Sequence, residues 1–361
     1  MTPTWKLAPL LLALSAVTPI SIADEFSDVY QSYEQAVKEG NNADAILYAE
    51  KAYLLGEAKF GRDSLDYANL GLNFALALGR DRKGQYELRN QQAMEVAKVS
   101  LVSYESHFGK GALEIIKPLM VIGDASTDNK LAHDSYHRAL TLAEDSDNKE
   151  LLAQTRLNAF KRLSTTEYYT TELYRGMINS FAYFDANLPA SSDLRLEAAF
   201  WLAKAYLGNK KYDKAEPLFL EVVKQYKAKD YSHPYALAAH SRLVTIYEGQ
   251  GESDRATEHC IAIGSMRPWD ENQEQTPLFR KAPKYPESLA KRGRSGWVQI
   301  SFTIDEMGIV RDPKLLDSKG GKGFEKASLE ALSAWRYAPK FEDGKPVKAE
   351  STVRLDFEVE R

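Results

Sequence analysis

Two histidines, His133 and His137, lie four residues apart in a segment of helical periodicity and are the first candidates for chemistry. On a helix this spacing puts both imidazoles on one face, where a zinc ion can be shared. The zinc-protease pattern has glutamate beside the first histidine and a third ligand nearby, whereas Asp134 stands there in this chain. We therefore expect the pair to face a groove or solvent and to bind no metal.

Two glycine-rich segments also invite a catalytic interpretation. KGGKGFEKAS, at 319–328, precedes a predicted helix but lacks the Gly-Lys-Ser/Thr spacing of a phosphate loop. GRSG, at 293–296, has neither the spacing nor the following helix of a nucleophile elbow. Turns and a helix cap account for these glycines. The sequence thus predicts no catalytic residue and no cofactor, and the protein is not expected to be an enzyme.

The last quarter of the chain changes from helical to strand periodicity. Apolar and polar residues alternate from Val298 to Ile304 and again from Thr352 to Val359, which predicts two strands with one buried face each. Gly308 suits a turn before a less regular run from Ile309 to Ser318. A helical stripe that stops before Pro339 is formed by Phe324, Ala327, Ala331 and Trp335. These patterns predict a small α+β unit, a three-stranded antiparallel sheet with a helix on one face.

Eight residues of this segment are predicted to form its turns, the start of its first strand and part of its core. They are Tyr285, Pro286, Gly293, Gly296, Trp335, Arg336, Tyr337 and Pro339. Prolines on either side of Tyr285 forbid a helix there. For Trp335–Tyr337 two interpretations stand: a recognition patch, or a core plug in which Trp335 continues the buried helix stripe and Arg336 pairs locally.

At these residues the segment resembles the C-terminal domain of the TonB family of energy transducers. The matching pieces are YPESLAKRGRSGWVQISFTIDEMGIV, Ser318, FEKASLEALSAW, WRYAP, DGKPV and VRLDFEV. The resemblance implies a periplasmic module that adds an extended peptide from an outer-membrane receptor as a strand beside its own last strand. It places partner binding on Thr352, Val353, Arg354, Leu355, Asp356 and Phe357. Such an edge can alternatively pair with a second copy and form a homodimer.

The preceding residues have helical periodicity with repeat spacing. One unit, at 197–226, has apolar and small residues at the positions of a tetratricopeptide repeat, namely Leu202, Ala203, Tyr206, Tyr212, Ala215, Phe219 and Val222. A second unit repeats the pattern with Leu243, Val244, Tyr247, Gly251, Ala256, Cys260 and Ile263. Earlier units are more degenerate, and residues 148–188 fit poorly. Four or five stacked helix pairs are predicted, in a solenoid whose concave face binds a protein.

The expected domains are a signal peptide at 1–23, helical repeats at 24–268, a linker at 269–276 and the TonB-like domain at 277–361. Lys6 precedes an apolar run, and small residues precede a cut at Asp24. The run is interrupted by Pro9 and falls short of the ~20 residues of a spanning helix. An uncleaved inner-membrane anchor is the alternative. Cys260 is the sole cysteine, which excludes a disulfide within the chain.

Charge differs between the two parts of the chain. From Thr276 onward there are 17 Lys/Arg against 13 Asp/Glu, in a chain whose overall net charge is −4. A modestly basic last domain favours acidic peptides or anionic polymers, and no nucleic-acid partner is expected.

Two functions of different classes follow from the sequence. The first is a periplasmic adaptor that contacts a TonB-dependent outer-membrane receptor or a TonB/ExbB/ExbD-type complex and recruits a second protein through its repeat groove. The second is a structural envelope protein that binds peptidoglycan or an assembly machine.

Overall fold

The computed structural model describes residues 22–80, 86–227, 233–267, 269 and 275–358. Residues 1–21 of the predicted signal peptide and most of the predicted linker lie outside the described residues. The chain divides into two compact units, residues 1–169 and 170–361.

The first unit is helical. Its helices are α1 (Ile22–Glu39), α2 (Asn42–Phe60), α3 (Leu65–Arg80), α4 (Tyr86–Phe108), α5 (Ile116–Ala125), α6 (Asn129–Glu144) and α7 (Lys149–Leu163), with a 3₁₀ turn at Leu113–Ile115. Each helix packs on the next. Small residues such as Ala93 and Ala97 are fully buried at the crossings, which lets the helices approach closely. Side chains of Asp128 and Asn148 cap the amino ends of α6 and α7.

The second unit begins with five more helices that pack in sequence order. They are α8 (Thr171–Asn187), α9 (Asp193–Gly208), α10 (Tyr212–Lys227), α11 (Pro234–Gln250) and α12 (Ser253–Met266). The predicted repeat residues Ala203, Ala215, Phe219 and Ala256 are fully buried between these helices. The helix-pair architecture predicted from their spacing is therefore confirmed.

The small α+β part follows in the same unit. Its elements are α13 (Glu287–Ala290), β1 (Gly296–Ile304), β2 (Val310–Lys319), α14 (Lys322–Leu332), β3 (Lys340–Glu342), β4 (Lys345–Val347) and β5 (Ala349–Phe357). One antiparallel sheet has the order β2-β1-β5, and β3 and β4 form a separate hairpin. The three-stranded sheet with its helix is as predicted. The β3–β4 hairpin was not predicted, since each strand has three residues and shows no usable alternation.

The core of this part lies between the sheet and α14. Alternate residues of β1 and β5 point inward, and Phe324, Leu332 and Trp335 cover them. The prediction that Trp335 continues the helix stripe is wrong, because α14 ends at Leu332. A turn after the helix brings Trp335 back into the core, where it is 1% exposed and its indole N–H donates to the carbonyl oxygen of Lys281 at 2.8 Å.

The turn between β1 and β2 is organised by Asp305. One carboxylate oxygen accepts the backbone N–H groups of Met307 and Ile309 at 2.9 and 2.8 Å. Gly308 has φ +75°, as the turn prediction requires. A side chain there would collide with the carbonyl oxygen of Tyr337, so glycine is needed for close approach as well as for its backbone conformation.

Candidate functional site

The candidate site is the outer edge of β5. This strand has β1 as its neighbour in the described sheet, and nine consecutive residue pairs join the two strands, from Ala349 opposite Ile304 to Phe357 opposite Gly296. The register has no irregularity along this length. The other side of β5 presents backbone N–H and C=O groups in a regular row, which is the arrangement that accepts an additional strand.

The opposite edge of the sheet, β2, is built differently. Its pairing with β1 has two register shifts, and Asp312 has φ +49°. Pro313 follows and supplies no N–H donor. Bulges and proline at an edge interrupt the row of hydrogen-bonding groups. Of the two edges, β5 is the one suited to pair with an extended peptide.

The two faces of β5 have separate roles. Val353, Leu355 and Phe357 point into the core, whereas Thr352, Arg354 and Asp356 are exposed. The Arg354 guanidinium lies over the ring of Trp297 at 4.5 Å and pairs with Asp356 at 3.0 Å. Packing of one face against the core therefore fixes the strand, and its other face is polar and exposed to solvent.

Tyr285 fixes the end of the edge strand. Its ring packs edge-on against Phe357 at 5.7 Å and Phe324 at 5.4 Å. Its hydroxyl donates to the carbonyl oxygen of Arg294 and so anchors the turn before β1. Pro286 precedes the short helix α13, and its carbonyl oxygen accepts the N–H groups of Leu289 and Ala290 at 2.9 and 3.0 Å. This tyrosine–proline pair positions both the turn and the last residues of β5.

The two glycines of the turn act for different reasons. Gly293 has φ +59°, a left-handed conformation that favours glycine. Gly296 is required by space, because a Cβ there would collide with the carbonyl oxygen of Lys319 and lie 2.8 Å from the Phe324 ring. Both glycines were assigned to a turn from the sequence, and the close approach that requires glycine at position 296 was not predicted.

Arg336 joins the α+β part to the helices before it. Its Nε–H donates to the Glu248 carboxylate in α11, and its Nη2 donates to the Ser253 carbonyl at 2.8 Å and to the Thr257 hydroxyl at 3.0 Å. The prediction that Arg336 pairs locally is therefore wrong. The cause is the turn after α14, which directs the side chain towards α11 and α12 and away from its own sheet.

The same interface buries several small residues. A Cβ at Gly264 in α12 would collide with the carbonyl oxygen of Pro339 and lie 3.0 Å from the Phe341 ring. Burial raises the pKa of the Cys260 thiol to about 12, and the Cβ of this residue lies close to Gly308. Tyr337 is also buried. A neutral, inaccessible thiol is not a reactive group.

The histidine candidates belong to the first unit. His133 and His137 lie on α6 in the first unit with ring centroids 5.9 Å apart, and His133 stacks on Tyr168 at 4.3 Å. Within the described ranges, no group of three or more His, Cys, Asp or Glu side chains could hold a metal ion. A different pair, His240 and His259, is in contact in the second unit, with 2.8 Å between the two Nδ1 atoms.

Three features of the site were not predicted from the sequence. Glu248 and Thr257 look like ordinary polar helix residues, and no local signal indicates that they meet Arg336. The third feature is the cluster of positive charges around the turn before β1, for which only the glycines of this segment gave a prediction. The run KRGR at 291–294 is the signal that indicates them.

Comparison with known proteins identifies the α+β part. The family model for the Gram-negative bacterial TonB protein C-terminal matches residues 281–359. The TonB protein of Pseudomonas aeruginosa is 32% identical over 85 residues, which are 24% of this chain and 25% of that protein. The chain thus spans about a quarter of the length of this curated relative. The resemblance of the last quarter to TonB C-terminal domains is confirmed.

Solved structures show similarity to each part. The solution structure of the P. aeruginosa TonB C-terminal domain is 30% identical, covering 25% of this chain and 92% of that one with a TM-score of 0.23. A Podosopora anserina kinesin light chain protein with nearly identical TPR-like repeats is 14% identical, covering 67% of this chain and 94% of that one with a TM-score of 0.31.

Among the helices that the structure describes, none has both the length and the apolar character needed to span a bilayer.

Proposed function

We propose that the TonB-like part of this chain, residues 281–359, binds an extended peptide of an outer-membrane receptor by strand addition at β5. The observation that carries this proposal is the uninterrupted register of β5 on β1, together with an irregular, proline-bearing β2 at the other edge. Backbone hydrogen bonds from a regular edge supply affinity, and side chains of alternate peptide residues supply specificity.

The outer face of β5 supports recognition beyond backbone pairing. An added strand places alternate side chains beside Thr352, Arg354 and Asp356, which are exposed. Arg354 and Asp356 are the charged members of this row, and Arg354 is already oriented by Trp297. A peptide with complementary charges at two positions along the strand fits this row better than a uniformly apolar one.

The repeats form the second half of the proposed adaptor and recruit another protein. On α9, Lys204 Nζ lies 4.2 Å from the Trp201 ring centroid. Burial lowers the pKa of Lys204, and the nearby positive charge of Arg242 on α11 lowers it further. An aromatic ring beside concentrated positive charge favours a carboxylate-bearing partner segment at these two helices.

We place the adaptor in the periplasm, as part of a TonB-type transport system. The apolar, Pro-interrupted start of the sequence and the small residues before Asp24 support export. Nothing in the role requires a reaction: the chain would join a receptor peptide at β5 to a second protein at its repeats. We therefore propose a binding protein and not an enzyme.

Site-specific cross-linking tests the edge. Arg354→Cys on β5 and Lys314→Cys on β2 each introduce an exposed thiol on one of the two sheet edges. Cys260 is fully buried and does not compete. A receptor peptide with one cysteine should form a disulfide with the β5 variant and not with the β2 variant. Preferential reaction at Lys314→Cys would contradict the assignment.

A further inference from the structure

One end of the TonB-like part carries a cluster of unpaired positive charge, here named the basic end. It consists of five exposed residues from three segments, which are Lys291, Arg292, Arg294, Lys319 and Lys322. Within the described part of the chain, none of the five forms an ion pair with a carboxylate. Surface lysines and arginines often have no partner, so the lack of ion pairs alone does not indicate a binding site. The position and rigidity of the cluster distinguish a binding site from an ordinary solvated surface.

The register brings the three segments together. Gly296, just after the KRGR run, lies opposite Phe357, the last residue of β5, and Trp297 lies opposite Lys319, the last residue of β2. Gly323 at the start of α14 lies against the turn, since a Cβ there would be 3.1 Å from Leu289 Cδ1. The five cations therefore share the end of the sheet at which β5 finishes.

The turn that carries three of these cations is held in place. Gly293 N–H donates to the Ala290 carbonyl at 2.9 Å, and Arg294 N–H donates to the Leu289 carbonyl at 3.1 Å. The Tyr285 hydroxyl binds the Arg294 carbonyl from the core side. The charges thus stand on a fixed backbone, so little free energy is lost in ordering that backbone when a partner binds.

The nearby acidic groups do not balance the cluster. Glu287, Asp317 and Glu358 are exposed at or near this end, and Asp317 already accepts the Ser318 N–H at 2.8 Å. At the other end of the sheet Arg311 pairs with Asp305 at 2.9 Å, whereas none of the five cations of the basic end has such a partner among the described residues. Positive charge is therefore concentrated at one end of the candidate edge.

We infer that the basic end selects peptides in which acidic residues flank one terminus of the segment that pairs with β5. This inference rests on the strand addition proposed above. A peptide aligned with β5 runs past Phe357 and enters the field of the five cations. An antiparallel peptide brings its amino-terminal flank there, and a parallel peptide brings its carboxy-terminal flank. Charge complementarity of this kind sets specificity and association rate.

Three peptides test the inference with the full chain. Each contains the same nine-residue alternating Thr/Val segment, with three glutamates at its amino end, three at its carboxy end, or neutral Gly/Ser flanks. We expect one of the two acidic peptides, and not the other, to bind about tenfold more tightly than the neutral one at low salt, and the gain to shrink to about threefold or less at 0.5 M salt. The favoured end also reveals the direction of the added strand.

Matched charge reversals locate the effect. Lys291→Glu with Arg292→Glu should abolish the tighter binding of the favoured acidic peptide and leave the affinity for the neutral peptide unchanged. The unchanged affinity for the neutral peptide also shows that the edge remains folded. Lys345→Glu with Lys348→Glu makes the same charge change in the segment just before β5 begins, away from the basic end, and should preserve the tighter binding of the favoured acidic peptide.

Other outcomes would overturn the inference. Equal affinity for all three peptides would do so while leaving strand addition intact, whereas binding of none would contradict strand addition itself. A Gly/Ser peptide with three glutamates and no Thr/Val segment that bound as tightly as the better acidic peptide would show that the basic end takes anionic polymers independently of β5.

Discussion

The Arg336 guanidinium pairs with the carboxylate of Glu248, a residue 88 positions earlier in the chain. Both side chains are almost withdrawn from solvent, at 6% and 10% exposure. Two further hydrogen bonds, to Ser253 and Thr257, satisfy the remaining donors that face α12. The TonB-like part is therefore joined to α11 and α12 by a buried ion pair and hydrogen bonds, in addition to the covalent connection between them.

Arg336→Ala is expected to destabilise the second unit by about 3–5 kcal/mol, because it leaves the Glu248 carboxylate buried without its partner. Denaturation followed by tryptophan fluorescence measures this effect, since every tryptophan except Trp5 lies in residues 170–361. Lys326→Ala is the control: it removes an exposed ion pair with Glu330 at 3.7 Å and should cost less than about 0.5 kcal/mol.

Replacing both charges, with Arg336→Met and Glu248→Leu together, should cost less than Arg336→Ala alone, since no uncompensated charge remains. A double variant as unstable as the single one would show that packing, and not charge, dominates at this contact.

The contact between Arg336 and Glu248 also predicts that the TonB-like part stays bound to α11 and α12 after the chain between α12 and this part is cut. A specific protease site inserted within residues 270–274 should yield two fragments that stay together on gel filtration, because α12 and the β3–β4 hairpin pack against each other and Arg336 pairs with Glu248. Arg336→Ala should weaken this association. Fragments with the unaltered interface that separate at micromolar concentration would support the predicted independent domains at 24–268 and 277–361.

Gly296→Ala should destabilise the second unit by about 1–3 kcal/mol, since the added methyl group collides with the Lys319 carbonyl and the Phe324 ring. Gly249→Ala is the matched control, because this glycine lies in α11 with no atom within 4 Å of the added carbon. That change should be neutral or stabilising by up to about 1 kcal/mol. Equal effects of the two substitutions on the unfolding midpoint would contradict the steric role of Gly296.

Acid should destabilise the second unit through the contact between His240 and His259. Burial and the neighbouring His259 lower the pKa of His240 from 6.5 to about 4, and burial also lowers the pKa of His259. Lys227 and Arg255 add positive charge near the pair, and Glu216 and Glu258 oppose it at His259. Between these pH values the unfolded chain binds protons that the folded chain excludes, so stability is complete above pH 6.5 and falls towards pH 4.

The expected loss over this range is on the order of 2 kcal/mol. Urea denaturation at a series of pH values measures it. His240→Asn should flatten the pH dependence, whereas His137→Asn, at an exposed position of the first unit, should leave it unchanged. An unaltered slope in His240→Asn would show that other groups cause the acid sensitivity.

The sequence predicted those features that depend on local pattern. Alternation of apolar and polar residues predicted β1 and β5, and small residues at fixed spacing predicted the helix pairs. Gly308 predicted the turn between β1 and β2. The partner of Arg336 could not be predicted, because the contact with Glu248 depends on how a turn after α14 directs one side chain over a long sequence separation. The edge character of β5 follows from the strand order β2-β1-β5, which alternation within one strand does not give.

The basic end illustrates a different limit of sequence patterns. Lys291, Arg292 and Arg294 are adjacent in the chain, and their run is visible without a structure. Lys319 and Lys322 join them because β2 ends beside the start of β1. A charge run normally indicates a solvated surface, and only the register shows that this one adjoins the end of β5.

Backbone methylation of a bound peptide tests strand addition at β5 most directly, because it leaves the protein unchanged. In an added strand, alternate peptide N–H groups face β5 and the others face solvent. Two versions of one receptor peptide, N-methylated at odd or at even positions, are titrated into the full chain. We expect one version to lose binding and the other to retain it. Equal affinity of both versions, whether retained or lost, would contradict the proposal that β5 accepts the peptide as a strand.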